Sequence, residues 1–300
     1  MPGKNDNIVL PVCSYRPHRI SRKVNHMTTA DIKIPVQLQS FVRYIQVLEQ
    51  TPLSGVYEPV RFYADGSPGI MFVRSENSVI AQQDNILAPF SAYGQTVKPI
   101  KLQPGAACRV IVIGLYPHII KPLLGINSSV LTDGCVDLKM VAGKDTGSTI
   151  EQLLNEPSLN AQLRLITNYL FQLCQSTRTK PDALLAYAVA HITQSRGQAS
   201  LQGLRSYLNV PERTFERKFE QHVGISAKLF TRICQFQSGL QQLQQGRYEK
   251  LSDIAYENGY ADQSHFIRSF NEFTGQSPME FIKQQQMQRA VIDFNLPGVV

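Results

Sequence analysis

Two stretches of the chain place an arginine between two phenylalanines at the same spacing. FERKFEQHVGIS covers 215–226, FIRSFNEFTGQSP covers 266–278, and both fit F-x-R-x-F-x-x-x-x-G-x-S. At 100° per residue, Phe215 and Phe219 share one side of a helix and Arg217 lies on the opposite side. An outward arginine can donate two hydrogen bonds to guanine or grip a phosphate. The duplication therefore predicts two helical units, each with a buried aromatic face and an outer face that suits an anionic partner.

The candidate contact residues lie on the outer faces of these two helices. For the arginines, the alternative is an ion pair within the unit, Arg217 with Glu216 and Arg268 with Glu272. For the polar residues that open the second helix, the alternative is that they only help the helix to begin, and a histidine there could simply be solvated. The predicted contact residues are Arg213, Thr214, Arg217, Gln221, Gln263, Ser264, His265 and Arg268.

Each of these helices follows a shorter apolar helix across a tight turn, which is a helix-turn-helix arrangement. The second copy has one more residue between the turn and its first phenylalanine, so we expect different side chains to enter first in the two copies. Asp262 is expected to cap the second outer helix. The glycines are expected to end the outer helices or to take a positive φ in the turn. The predicted structural residues are Leu201, Leu204, Phe215, Phe219, Gly224, Ile254, Gly259, Phe266, Phe270 and Gly275.

The segment between the copies, 227–245, has apolar residues at helical spacing. A continuous helix over this segment would be about 28 Å long at 1.5 Å per residue. Successive major-groove segments on one face of B-DNA lie about 34 Å apart. The connector length therefore fits two units that contact one duplex in consecutive grooves.

Residues 181–286 resemble the DNA-binding domain of the AraC/XylS family of bacterial transcription regulators. The resemblance rests on LSDIAYENGYADQSHFIRSFNEFTGQSP and on its degenerate first copy at 201–227. FTRICQFQSGL and FYADGSPGIMF resemble a subgroup whose N-terminal domain contains a PDG turn, with Ala64 here in place of the usual proline. The resemblance implies a regulator that binds double-stranded DNA, with RNA polymerase, a small-molecule effector and a second copy of the chain as further candidate partners. It also implies an N-terminal domain that senses a small molecule, mediates dimerisation, or both.

The net charge of +7 lies mostly outside the repeated units. Residues 1–180 hold 18 basic and 12 acidic residues, a balance of +6, whereas residues 181–300 hold 12 and 11, a balance of +1. DNA binding must therefore depend on where individual charges sit. The five cysteines are widely spaced and predict reduced thiols, with no metal site and no cofactor. The sequence lacks a signal-peptide pattern and a long apolar run, from which we expect a soluble, cytoplasmic protein.

Residues 31–147 carry β signals, short apolar runs separated by Gly/Pro turns such as those in VRFYADGSPGIMFVR and LTDGCVDL. Two helices are expected next, the first opened by a capping box of Ser148 and Glu151, and Pro181 is expected in the first turn of the helix after them. The predicted fold class is α+β, a β-rich N-terminal sandwich or barrel-like domain followed by an all-α C-terminal domain with two helix-turn-helix units and a connector helix. The predicted divisions are a basic arm (1–30), the N-terminal domain (31–178), the DNA-binding domain (179–288) and a tail (289–300).

Two other functions compete with this interpretation. An enzyme built on the N-terminal half is one, but the sequence has no Gly-rich phosphate loop, no paired metal ligands and no nucleophile elbow, so no catalytic residue is assigned. A regulator that uses its first domain only for assembly is the other. His118 is interpreted as structural, with a ligand contact as the alternative. Cys108 and Cys135 could be sensing thiols, but nothing basic flanks Cys135 and only Arg109 flanks Cys108.

Overall fold

A computed structural model describes residues 27–50, 59–77, 79–80, 86–143, 145–177 and 180–284. Most of the predicted basic arm and the whole predicted tail lie outside these residues. The strands are β1 (Met27–Ile32), β2 (Val42–Gln50), β3 (Val60–Phe62), β4 (Gly69–Ser75), β5 (Val79–Ile80), β6 (Phe90–Tyr93), β7 (Ile100–Pro104), β8 (Cys108–Leu115) and β9 (Cys135–Asp137). The helices are α1 (Ile120–Leu124), α2 (Leu138–Val141), α3 (Thr146–Asn155), α4 (Leu159–Ser176), α5 (Ala183–Gln194), α6 (Leu201–Tyr207), α7 (Glu212–Val223), α8 (Ala227–Gln245), α9 (Leu251–Glu257) and α10 (Gln263–Thr274). Residues 278–284 are also helical.

The N-terminal strands form two antiparallel sheets. One has the order β1-β2-β8-β4-β6-β9 and the other the order β3-β7-β5. Strands that follow each other in sequence, β3 and β4 or β7 and β8, lie in different sheets. Their Gly/Pro turns therefore carry the chain between two layers instead of closing hairpins.

The larger sheet is buried on both faces, which explains why its central strands are apolar without interruption. In β4, Ile70 and Phe72 enter a core shared with the N-terminal helices, whereas Met71 and Val73 enter a core between the two sheets. This division follows from the two-residue period of a strand. The arrangement confirms the α+β prediction, with a sandwich in the N-terminal half and helices in the C-terminal half.

Several local predictions were wrong, and the structure gives the reasons. The segment before the turn in LTDGCVDL is a 3-10 helix, Ser128–Leu131, and not a strand. Ser148 lies inside α3, where its hydroxyl donates to the Asp145 carbonyl at 2.9 Å, so it does not cap the helix. Pro181 precedes α5, whose cap is Asp182, a carboxylate that accepts hydrogen bonds from the Leu184 and Leu185 amides.

The C-terminal helices α5–α10 share one core that is rich in phenylalanine. Phe215, Phe219, Phe266 and Phe270 are fully buried in it, as the face assignment predicted. Among the residues that the structure describes, no helix is long and apolar enough to cross a membrane.

Candidate nucleic-acid interface

The first helix-turn-helix unit consists of α6 and α7. Leu204 is buried and Leu201 half-buried, so α6 turns its apolar side to the core. The chain then turns at Asn209, which has a positive φ of 52°, a conformation that asparagine tolerates better than most residues. Helix α7 ends at Gly224, where φ is 99° and the amide donates to the Glu220 carbonyl. This confirms the predicted glycine cap.

The second unit consists of α9 and α10, and a side chain caps the start of its outer helix. Gly259 in its turn has a φ of 75°, and the Asp262 side chain accepts a hydrogen bond from the His265 amide at 2.7 Å. Ile254 is buried, and Gly275 ends α10 with a φ of 74°. The predicted cap, turn glycine and terminal glycine are therefore all confirmed.

The two units align at their outer helices. Phe215 and Phe266 are both the fourth residue of their helix, and Arg217 and Arg268 are both the sixth. The extra residue of the second copy falls in the turn, 258–262 against 208–211. The turn therefore absorbs the insertion before the helix begins, and which side chains enter DNA first in each copy stays a prediction.

The outer faces expose the predicted arginines. Arg213, Arg217 and Arg268 are exposed, as are Gln263 and Ser264. The remaining predicted contact residues, which are half-buried, are Thr214, Gln221 and His265.

Three of the neighbouring carboxylates are engaged elsewhere. Glu216 accepts a hydrogen bond from the Ala227 amide at 3.4 Å, and Glu272 pairs with Arg232 of the connector. Glu212 pairs with Arg205 at 3.1 Å. Within the described part of the chain, no salt bridge engages Arg213, Arg217 or Arg268. Their guanidinium groups therefore remain available to a phosphate or a base edge.

Helix α8 joins the two units through aromatic packing. Its Phe230 ring lies 5.7 Å from the Phe219 ring of the first unit, and its Phe236 ring lies 5.6 Å from the Phe270 ring of the second unit. Gly239 allows a close approach, because a Cβ there would lie 2.9 Å from the Phe266 ring. The connector runs as one helix over 227–245, as predicted.

The N-terminal domain contacts the end of α7, which the sequence did not indicate. The Ser128 hydroxyl donates to the His222 carbonyl at 2.6 Å, and the Thr132 hydroxyl donates to the Gly224 carbonyl at 2.7 Å. The carbonyls at the end of a helix lack partners within it, so these hydroxyls complete the C-terminus of α7. Next to them, the Lys121 ammonium donates to the Gln221 side chain at 3.3 Å. The structure thus places Gln221, a predicted DNA contact, against the N-terminal domain.

A second contact joins the Ala64–Ser67 turn to the connector. The Gln237 amide donates to the Ala64 carbonyl, and a Cβ at Gly66 would lie 3.1 Å from the Phe230 ring. Gly66 has a φ of 71°, so both backbone conformation and packing favour glycine. The sequence predicted this turn, but only the structure shows that the turn contacts α8.

The carboxylate of the same turn is held inside the N-terminal domain. Asp65 accepts hydrogen bonds from the Tyr44 hydroxyl at 2.7 Å and from the Ser67 amide at 2.9 Å. Burial raises the pKa of Asp65, and the nearby Arg43 guanidinium opposes that shift. This network fixes the turn that touches α8, so Asp65 has a structural role.

Two histidines meet at the junction of the domains. Burial and, to a smaller extent, the neighbouring His222 of α7 lower the pKa of His118 to about 4, while Asp182 opposes the shift. Among the described groups, neither His118 Nδ1 nor His222 Nδ1 has a hydrogen-bond partner. His118 is therefore a buried neutral ring, in line with its structural interpretation.

Comparison with protein families connects this geometry to an identity. Residues 204–284, which include both α7 and α10, match a family model described as a helix-turn-helix domain, of the AraC type. The matched segment is an AraC-type helix-turn-helix domain. The chain that carries it is a DNA-binding transcription regulator.

Its N-terminal half matches a second family model. Residues 33–137 match a domain of unknown function, DUF6597. No curated protein matches the regulator at a significant level.

Solved structures with a similar course of the chain include two of ToxT and one of CuxR. ToxT from Vibrio cholerae O395 is 12% identical at a TM-score of 0.44, over 81% of this chain and 97% of that one. ToxT from Vibrio cholerae strain SCE256 bound to an unsaturated fatty acid is 11% identical at a TM-score of 0.42, over 87% and 96%. The AraC-like transcriptional activator CuxR is 10% identical at a TM-score of 0.20, over 78% and 91%. With TM-scores below 0.5, these similarities do not bear on the sites of the regulator.

The cysteines and acidic residues that the structure describes show no reactive arrangement. Burial raises the pKa of Cys108 to about 11 and also raises the pKa of Cys135, so both thiols are protonated at neutral pH. Cys13 lies outside the described residues. In the described ranges, no group of three or more His, Cys, Asp or Glu side chains could hold a metal ion.

Proposed function

We propose that the regulator binds DNA with α7 and α10 in consecutive major-groove segments, and that its N-terminal domain controls this binding through an effector or through dimerisation. One observation carries the proposal. Arg217 and Arg268 occupy the same position of two equivalent helices, both are exposed, and the nearby Glu216 and Glu272 are engaged elsewhere.

The connector supports a fixed spacing between the two helices. Helix α8 has 19 residues, so it is about 28 Å long, and its aromatic contacts tie it to both units. A rigid link of this kind favours two grooves on one face of a duplex, which repeat about every 34 Å. Arg213, Thr214, Gln263, Ser264 and His265 are then the further candidates for phosphate and base contacts.

The contacts at the end of α7 support control by the N-terminal domain. Ser128 and Thr132 hold the last turn of a helix that enters DNA, so any movement of their segment changes the placement of that helix. We assign residues 31–178 to the controlling domain and 179–288 to the DNA-binding domain. A homodimer, a small-molecule effector and contact with RNA polymerase are parts of the same proposal.

Selection of bound duplexes from a random-sequence pool tests the proposal. We expect enrichment of one motif with two conserved segments about one helical turn, or 10–10.5 base pairs, apart. Binding should weaken steeply with salt, because each phosphate contact releases counterions. The matched control is the double variant Arg217→Ala/Arg268→Ala, which should enrich no motif. Selection of a single short segment, or of none, would contradict the two-groove model.

A further inference from the structure

One short segment of the N-terminal domain, 128–133, links that domain to the ends of both outer helices, α7 and α10. Ser128 and Thr132 complete the C-terminus of α7 through their hydroxyls. Asp133 accepts hydrogen bonds from the amides of 97–98 at 2.6 and 2.9 Å. The segment therefore holds 97–98 in a fixed position relative to the end of α7.

A lysine of the N-terminal domain accompanies the end of each outer helix. The Lys121 ammonium, on α1, donates to the Gln221 side chain of α7. Lys98 precedes Pro99, and a Cβ at Gly275, which ends α10, would lie 3.5 Å from the Pro99 ring. Lys98 is exposed and Lys121 is half-buried, and within the described ranges neither lysine forms a salt bridge. Both lysines are therefore available to an anion beside the helix ends.

Lys121 continues the outer face of α7. Arg213, Arg217 and Gln221 follow each other at intervals of four residues, so they form one row along the helix. The bond from Lys121 reaches the last member of this row. Two exposed arginines of one domain and a lysine of the other thus lie along the same line.

The docked N-terminal domain leaves the outer faces open to a duplex. Arg213, Arg217 and Arg268 are exposed while the contacts at the helix ends are in place. Helices α7 and α10 have 12 residues each and are about 18 Å long, whereas the major groove is about 12 Å wide. A helix of this length that crosses the groove ends beside a phosphate backbone.

We propose that Lys98 and Lys121 contact phosphates of the duplex at the edges of the two groove segments, so that the N-terminal domain is itself part of the DNA-binding surface. The inference rests on the proposed function, because it adds contacts to the duplex that α7 and α10 bind. An ammonium binds phosphate as a point charge, and such contacts fix the register of a protein on DNA without reading the sequence. The inference also gives a partner to part of the +6 balance of residues 1–180.

The salt dependence of operator binding by the full chain tests the two lysines. Each contacted phosphate contributes about 0.9 to the slope of log K against log salt. We expect Lys98→Gln and Lys121→Gln each to lower the slope by about this amount. The loss of affinity between 50 and 200 mM salt should then be about 3.5-fold smaller in each variant. An unchanged slope in these variants would overturn the proposal.

Two control variants separate a phosphate contact from a change in net charge. Lys121→Arg keeps the charge and should keep the slope. Lys33→Gln removes an exposed lysine that follows β1, at the opposite edge of the larger sheet from β9, and should leave the slope unchanged. A slope lowered equally by Lys33→Gln would show an effect of net charge alone and would overturn the proposal.

Ethylation of single phosphates of the operator locates the contacts, because an ethylated phosphate loses its charge. We expect one phosphate at the edge of the first segment to stop interfering with binding in Lys121→Gln. A different phosphate, at the edge of the second segment, should stop interfering in Lys98→Gln. The same interference pattern in both variants as in the unchanged chain would contradict the assigned contacts.

The double variant Ser128→Ala/Thr132→Val tests whether the docked domain helps or blocks DNA binding. We expect weaker binding and a slope lower by about 0.9, because Lys121 is no longer held beside α7. Unchanged or tighter binding by a variant with a cooperative melting transition would overturn the proposal. Failure of the unchanged chain to select a duplex with two segments would instead contradict the proposed function, so the two failures are distinguishable.

Discussion

At the scale of single residues, burial of the His118 ring makes the stability of the folded protein depend on pH. Its pKa is lowered to about 4 from an ordinary value of 6.5, with His222 and Asp182 as its charged or titratable neighbours. Burial lowers the pKa of His222 as well, and Lys121 and Lys218 add to that shift. Between pH 6.5 and 4 the His118 ring is therefore protonated to a greater extent in the unfolded chain than in the folded chain. Linkage then requires that the contribution of this ring to stability falls as the pH falls through this window.

We predict that the titration of His118 makes the free energy of unfolding about 2 kcal/mol lower at pH 5 than at pH 7. Each unit of pKa shift corresponds to about 1.4 kcal/mol. His118→Phe keeps a buried ring, removes the titrating group, and should remove this part of the pH dependence. The measurement is urea unfolding of both proteins at the two pH values. The same pH dependence in the variant would show that His118 is charged or solvated in the folded state.

The sequence predicted the outward arginines because helical geometry alone assigns their faces. The sequence could not predict that the carboxylates near these arginines pair with other residues. Glu272 pairs with Arg232, 40 residues away, and the two meet only because α8 packs beside α10. The contact of Gln221 with Lys121 spans 100 residues and was missed for the same reason.

At the scale of elements, the phenylalanines of the two units hold the recognition helices on the connector. We predict that Phe219→Ala and Phe270→Ala each lower the free energy of unfolding by about 3–5 kcal/mol, because each removes a fully buried ring. Tyr256→Ala is the matched control. Its ring is 66% exposed, so its cost should stay within about 0.5 kcal/mol. Equal small losses in thermal or urea unfolding for all three variants would contradict the assignment of buried and exposed faces.

Gly239 tests how closely the second unit approaches the connector. Gly239→Ala places a Cβ 2.9 Å from the Phe266 ring, and we predict a loss of about 1–3 kcal/mol from overpacking. In contrast, the nearest atoms to a Cβ at Gly203, in the exposed middle of α6, lie at 3.5 Å. Gly203→Ala should therefore stabilise the protein by about 0.5–1 kcal/mol through helix propensity. If Gly239→Ala were also stabilising in urea unfolding, the close approach of α8 to α10 would be wrong.

Element boundaries were predictable where local chemistry decides them. The glycine caps of α7 and α10, the Asp262 cap and the span of α8 follow from residue types and spacing. The capping box at Ser148 failed because Asp145 opens α3 one turn earlier. The partners of the strands could not be predicted, since pairing between layers depends on contacts that are distant in sequence.

At the scale of the whole molecule, the C-terminal domain has its own core, and a turn of the N-terminal domain packs against that core. Ala64 belongs to the core of the C-terminal helices, and Gly66 lies against Phe230. We predict that residues 179–300 fold alone and bind DNA, because the buried phenylalanines of both units pack within this fragment. Its melting temperature should be lower than that of the full chain, since the surface at Phe230 becomes exposed. An unfolded fragment by circular dichroism would contradict the proposed boundary.

The central claim is that two equivalent arginines contact two different groove segments of one operator. The most direct measurement is the affinity of Arg217→Ala and Arg268→Ala for a selected operator and for two operators mutated in one segment each, at two salt concentrations. Both side chains are exposed, so the fold should survive either change.

We predict that each variant loses about 1–3 kcal/mol of binding free energy on the intact operator. Each variant should also become insensitive to mutation of only one segment, a different one for each variant. A phosphate contact would instead weaken all operators alike and lower the salt slope by about one unit. We expect the larger loss from Arg268→Ala, because Glu212, Glu216 and Glu220 make the outer helix of the first unit more acidic. Insensitivity of both variants to the same segment would contradict the two-groove account and leave a single recognition helix.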